Sequence, residues 1–397
     1  MLGEQGFLRW NKAADETEEH PLRSAFLYTE KFAWLKAYEG YPWLFERSEA
    51  TYQLAKRLGL FDHEWIKVRT PEPASFEELT AFHTEEYLAV LKKANNGNFK
   101  EEWLHYGIGT TECPVYEGVY DYHALAVGST LLGADLVERG EADIVFGPTG
   151  GFHHAGEDFA AGFCYLNDIV LAIKKWLHRK KRILFIDIDA HHSDQVQKAF
   201  YRHSRVMCIS FHEGGNTLFP FKTGFQDEIG QGHGKGYTIN VPLAENTSDE
   251  EFYWAFENVF SPVAEKFQPD IVLAAIGVDT LFSDPLSHLQ LTNRSISQAV
   301  QLITQVSPRL LALGCGGYVL ENLARTWTLA WAIMNELGPK EEDAALFGGM
   351  FWGDSLASLK DQPHFAPDSL RQKARDHLEG VVETIQRNVF PILQIDV

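Results

Sequence analysis

The sequence predicts an α/β protein built on a mostly parallel sheet with helices covering both faces. The prediction rests on short apolar runs of strand length, on helical periodicity between several of them, and on polar residues that follow each run directly. The runs occupy 143–146, 182–188, 206–211, 270–276 and 309–313, and their Ile, Val and Leu content is that of buried strands. Between the second run and the one before it, 167–181 places Ile169, Ile173, Trp176 and Leu177 on one helical face. Another helix opens at Ser248 with Glu251 three residues on, the signature of a capping box. Strands alternating with helices make a parallel sheet. The first hundred residues look helical, and 341–397 reads as a C-terminal extension of helix and loop. No repeat, low-complexity tract or linker divides the chain, so one domain over 1–397 is expected.

Composition narrows the function. The 397 residues are 45% hydrophobic and include 10 Trp, enough to build a substantial core. A formal charge of −20 repels phosphate backbones and anionic membranes, which argues against nucleic acid as a partner. The start, MLGEQGFLRWNK, lacks a basic segment followed by an apolar one, and no apolar run reaches the roughly 18 residues that span a bilayer. No membrane partner is expected, and the expected compartment is the cytoplasm. Cys113, Cys164, Cys208 and Cys315 form no CxxC pair, so neither a disulfide framework nor a cysteine zinc site is indicated. A metal here must draw on histidines and carboxylates.

The ends of the runs hold the candidate chemistry. The first leads into Gly150, Gly151, His153 and His154, and the second ends in Asp187, Asp189, His191 and His192. His212 ends the third, Asp279 the fourth, and Gly314, Gly316, Gly317 and Tyr318 the fifth. Ligand crevices of open α/β sheets lie outside the carboxyl ends of the strands, so these clusters are expected on one shared edge. Asp189 and His191, two apart in extended chain, face the same way and can share an ion. Asp279 can supply a third ligand and leave room for water, the pattern of a catalytic zinc, although ferrous iron suits the same donors. His153 and His154 can take up and deliver a proton, with Asp187 and Asp194 as the carboxylates that orient them. Tyr318 can donate a hydrogen bond to a carbonyl oxygen as it becomes negative. Amide hydrolysis uses all of these parts. The run GQGHGKGY at 230–237 lacks Ser or Thr after Lys235 and reads as a turn-rich connection rather than a phosphate loop.

The segments GGFHHAGEDFAAGFCYLND, FIDIDAHHSDQVQKAF, VMCISFHEG, GVDTLFSDPL and GCGGYVLENLARTW, spread over about 110–335, resemble the metal-dependent histone deacetylases and their bacterial relatives, including acetoin-utilisation proteins. That resemblance implies the arginase/deacetylase fold, a three-layer α/β/α sandwich. It implies zinc on Asp189, His191 and Asp279, carbonyl polarisation by Tyr318, and His154 as principal general base and acid. His153 becomes its electrostatic partner, with Asp194 holding His154 and Asp187 holding His153. Phe163 and Phe219 match the aromatic walls of an acyl-lysine channel, and Gly162 matches a backbone position lining it. A structural potassium would use the backbone and side chain of Asp187, backbone oxygens of Asp189, His191 and Phe211, and the Ser210 hydroxyl.

The chain also departs from the family pattern. TTECP puts Glu112 where many relatives carry a rim Asp, with one residue inserted. HPLRSAFLYTEKFAWL resembles the family's opening helix, with Phe26 where an internal arginine is common and Arg23 as the nearest substitute. In SDPL, Leu286 stands where a polyamine-selective relative would place an acid. The expected activity is therefore deacylation of lysine side chains, with acetylated polyamines or other small acyl-amines as the alternative substrates. A two-metal ureohydrolase is disfavoured because Ser193 and Gly277 replace two bridging carboxylates. A non-catalytic binding module is disfavoured because no ligand, base or polarising position is missing.

Overall fold

In the computed structural model, residues 22–34, 41–307, 309–338 and 359–396 are described. The short apolar runs become parallel strands of a single sheet: β1 Ser24–Leu27, β2 Ile66–Arg69, β3 Ile144–Gly147, β4 Ile183–Asp187, β5 Val206–Glu213, β6 Thr238–Leu243, β7 Ile271–Ala275 and β8 Leu310–Leu313. Their order is β2-β1-β3-β8-β7-β4-β5-β6. The five runs read from sequence are the five contiguous central strands, where cover on both faces demands uninterrupted apolar residues.

The expectation of a helical first hundred residues holds for α-helices at Arg47–Arg57, Phe76–Leu79 and Glu85–Ala94 and is corrected by β1 and β2. Ser24–Leu27 is a strand, not part of an opening helix, and only a 3-10 turn at Glu30–Ala33 follows it. Phe26 drives this: its ring is buried against Phe61, Phe146 and Trp331 at centroid distances of 5.2, 5.6 and 5.5 Å. Residues 1–21 of that expectation lie outside the described residues.

Eleven helices complete the described fold: α1 Arg47–Arg57, α2 Phe76–Leu79, α3 Glu85–Ala94, α4 Val119–Glu138, α5 Asp168–His178, α6 Asp194–Phe200, α7 Asp249–Phe267, α8 Asn293–Val306, α9 Leu320–Met334, α10 Asp368–Asn388 and α11 Phe390–Leu393. Strand alternation sorts them into two layers. Leu184 and Ile186 face Phe256 of α7, Ile296 of α8 and Trp331 of α9, all in one buried cluster. Ile183 and Phe185 face the other way, into a cluster with Val137 of α4, Trp176 of α5 and Val196 of α6. The result is the three-layer α/β/α sandwich that the sequence resemblance implies. The expected starts of α5 and α7 are present: the Asn167 side chain accepts from Val170 N, and Ser248 and Glu251 form a reciprocal capping box.

Helix α10 packs along the β6 side of the sandwich, burying Leu378, Val382 and Ile385. Arg371 reaches the acidic first turn of α7, pairing with Glu250 and with Glu251 at 3.2 Å. His377 Nε2 donates to the Pro242 carbonyl of β6 at 2.9 Å. The C-terminal extension thus contains helix as expected, while its stretch 341–358 lies outside the described residues. Among the described residues, no helix is long and apolar enough to cross a membrane.

Candidate active site

Because every strand runs in the same direction, the carboxyl ends of β3, β8, β7, β4 and β5 share one edge, and the five clusters meet there. Backbone amides aim the carboxylates. Asp187 Oδ1 accepts from Asp189 N at 2.9 Å, Asp189 Oδ2 from Gly316 N at 2.6 Å, and Asp279 Oδ1 from Ala190 N at 2.9 Å. Gly316 has to be glycine, since a Cβ there would overlap the Asp279 carboxylate.

His191 Nδ1 lies 2.9 Å from Asp279 Oδ2 and 3.2 Å from Asp189 Oδ1, and all three side chains are buried. Burial works against charge on the imidazole, but the two carboxylates outweigh it and raise His191 to about 10. Burial, with the Asp189 charge behind it, raises Asp279 to about 6. The donor atoms of Asp189, His191 and Asp279 lie within 4.8 Å of one another, around a centre whose field favours a cation. Two carboxylates and an imidazole so arranged fit one divalent ion.

His153 Nδ1 is 2.8 Å from Asp187 Oδ2, and His154 Nδ1 is 2.9 Å from Asp194 Oδ1. The two rings stand 4.0 Å apart. Burial lowers His153, but Asp187 outweighs it and holds the group at about 9. For His154 burial wins, reinforced by the neighbouring His153 charge, and the value falls to about 4. The loop carrying both is braced from the start of α5. Asp168 accepts from Gly151 N at 3.0 Å and Phe152 N at 2.8 Å, and Asn167 Nδ2 donates to the carbonyls of His153 and Ala155 at 3.3 and 3.0 Å. Sequence reasoning missed these two roles, although LND sits inside a recognised segment.

Tyr318 N donates to Asp284 Oδ2 at 2.8 Å, and burial pushes the phenol well above its ordinary value, so it stays a proton donor. A cavity of about 250 Å³ is lined by His153, His154, Asp189, His191 and Tyr318 together with the expected channel residues Glu112, Gly162, Phe163, Phe219 and Leu286. Asp187, Asp194 and Asp279 stand behind this wall. Glu112 Oε2 accepts from Gly162 N at 3.2 Å, and Gly162 takes a φ of 52° where a Cβ would meet the His154 ring. A cavity of about 430 Å³ between α5 and α6 contains none of these residues, so volume alone does not identify the site.

Beneath the cluster, His212 Nε2 donates to the Gly224 carbonyl at 2.9 Å, so its Nδ1 accepts from the Ser210 hydroxyl at 2.8 Å. The Ser210 oxygen keeps its lone pairs for another partner. Ser210 is in register beside Asp187 across β4 and β5.

The buried arginine is not Arg23, which pairs with Asp143 at 3.2 Å on the exposed opposite edge of the sheet. It is Arg47, whose Nη1 and Nη2 donate to the carbonyls of Cys315 and Gly317 at 2.5 and 2.9 Å. An arginine at a helix start ordinarily faces solvent, which hid it from sequence reasoning.

This fold, with a histidine set between two buried carboxylates and a His–Asp couple beside it, defines a hydrolase of the arginase/deacetylase architecture. Residues 42–334 match the histone deacetylase domain, and the chain belongs to the histone deacetylase family. It is 39% identical over 290 residues to histone deacetylase 8 of Xenopus tropicalis, covering 72% of this chain and 78% of that one. It is 36% identical over 301 residues to histone deacetylase RPD3 of Saccharomyces cerevisiae, covering 75% and 68%. The crystal structure of an HDAC homolog from Aquifex aeolicus superposes with a TM-score of 0.78 at 33% identity, over 91% of this chain and all of that one. An HDAC homolog complexed with SAHA matches equally well.

Proposed function

We propose that this deacetylase removes acetyl groups from lysine side chains by metal-dependent hydrolysis, with Asp189, His191 and Asp279 as the ligands. The observation that carries the reading is the placement of His191, Tyr318 and the His154–Asp194 couple around one apolar cavity. A zinc ion, or ferrous iron, bound by those three residues would supply Lewis acidity and make water a better acid.

The chain's own residues do the rest. Phe163 and Phe219 enclose the aliphatic stem of the lysine and exclude bulk water. Because His154 donates its Nδ1 proton to Asp194, its Nε2 is free to take a proton from the attacking water and then give it to the departing amine. His153, kept cationic by Asp187, adds positive charge beside the developing oxyanion, and the Tyr318 hydroxyl donates to that oxygen. The amide C–N bond breaks, and carboxylate and lysine amine leave. Asp187, Ser210 and the backbone oxygens of Asp189, His191 and Phe211 would hold a potassium ion that stiffens the ligand loop, and the free lone pairs of Ser210 support this.

At the rim, Leu286 offers an apolar contact and no charge for a second amine, which favours a peptide-borne lysine over a polyamine. The test compares kcat/KM of the metal-replete protein for an acetyl-lysine peptide with that for N-acetylputrescine and acetylspermidine. A ratio well above one is expected. A ratio well below one would move the substrate to small acyl-amines, and no hydrolysis of any of them would overturn the deacylase reading.

A further inference from the structure

The residues lining the cavity range from exposed to buried, and one of the buried ones belongs to no recognised motif. Phe221, at the outer end with Glu112 and Leu286, is 62% exposed. Trp43, lining the same cavity with Gly151, Cys164 and Cys315, is 4% exposed. His154, His191 and Tyr318 line the same cavity, and Trp43 lies against Arg47, which holds the carbonyls of Cys315 and Gly317. A lysine entering from the exposed rim therefore points its acyl group towards the buried side where Trp43 stands.

The indole is held on several sides. Its Nε1 donates to the Tyr122 hydroxyl at 3.2 Å, and its ring lies 5.1 Å from that of Phe152. One face covers the Arg47 guanidinium at 3.7 Å. Displacing the indole would break a buried hydrogen bond and uncover a buried cation, so this wall does not yield readily to a longer ligand.

We propose that Trp43 sets the acyl-chain length this enzyme accepts: its ring closes the inner end of the cavity, leaving room for acetyl and excluding longer acyl groups. The proposal rests on the deacylase reading above. Each methylene beyond acetyl then meets a packed wall, and one methylene in a closed apolar pocket is worth about 10- to 200-fold in kcat/KM.

The experiment measures kcat/KM of the metal-replete protein for one lysine peptide carrying acetyl, propionyl, butyryl or hexanoyl, with melting temperature recorded for every variant. The native protein is expected to discriminate against butyryl relative to acetyl by about a hundredfold. Trp43→Leu is expected to raise the butyryl-to-acetyl ratio by at least about tenfold. Trp43→Phe, which keeps an aromatic face over Arg47, gives a smaller rise in the same direction and serves if the leucine variant does not fold. Turnover in which the variants leave that ratio at its native value would overturn the proposal while leaving the deacylase reading intact. Failure of the native protein to hydrolyse any of the four would remove both.

Discussion

The Nη2 of Arg47 donates to the carbonyl of Gly317 at 2.9 Å, fixing the residue that immediately precedes Tyr318. Arg47→Met keeps the length of the side chain but strands the carbonyls of Cys315 and Gly317. The variant is expected to lose about 1–3 kcal/mol of stability. Where it is still folded, kcat should fall by about tenfold or more, because a small displacement of a catalytic group is costly. Denaturant titration and steady-state kinetics on the folded variant check both, and native kcat would show that Tyr318 is positioned without Arg47.

Tyr318→Phe removes one hydroxyl and no packing volume. Turnover should drop by about two to three orders of magnitude, as loss of one oxyanion donor does, with metal content unchanged. His154→Ala is expected to be at least as damaging. Near-native turnover in either variant would take that residue out of the mechanism.

The donor set of Asp189, His191 and Asp279 fits a single divalent ion. Chelation should abolish activity, and titrating the metal back should restore it with an end point of one ion per chain. Elemental analysis showing two tightly held ions, both required for turnover, would favour the ureohydrolase reading.

Two buried histidines away from the candidate metal ligands make stability depend on pH. Burial holds His83 at about 4 and takes His123 down to about 3. The unfolded chain binds protons at these positions near the ordinary histidine value, whereas the folded chain does not. Their contribution is therefore complete above about pH 6.5 and is lost as the pH falls towards 4. Each should cost about 1–2 kcal/mol between pH 7 and pH 5. His83→Gln should flatten the measured slope by about one proton, and an unchanged slope would show that His83 is not buried neutral.

The central strands and the chemistry at their ends were legible because one cause produces both signals. A strand covered on two faces must be apolar throughout, and the polar residue that ends it stands out. The flanks were less legible. SAFL of β1 lies inside a segment that resembles the family's opening helix, IKVR of β2 is buried at Ile66 alone, and TINVPL of β6 contains a proline. The His–Asp pairs were readable as residue types, and the family resemblance implied which partners which. Roles defined by burial were not readable: Arg47 and Trp43 carry no motif, and only packing shows that one holds the carbonyls before Tyr318 and that the other lines the cavity from its buried side.

The strand order ties assembly of the candidate site to placement of β8. β8 lies between β3 and β7 and is the strand hydrogen-bonded to both. Until residues 310–313 are in place, β2-β1-β3 and β7-β4-β5-β6 are two separate sheets with no pairing between them. His153 and His154 follow β3 on the first, while Asp189, His191 and Asp279 follow β4 and β7 on the second. A chain still emerging from the ribosome can therefore carry every candidate metal ligand before the candidate site is assembled. Pairing of β8 is the keystone that joins the His153–His154 side of the candidate site to Asp189, His191 and Asp279, and Tyr318 follows that same strand.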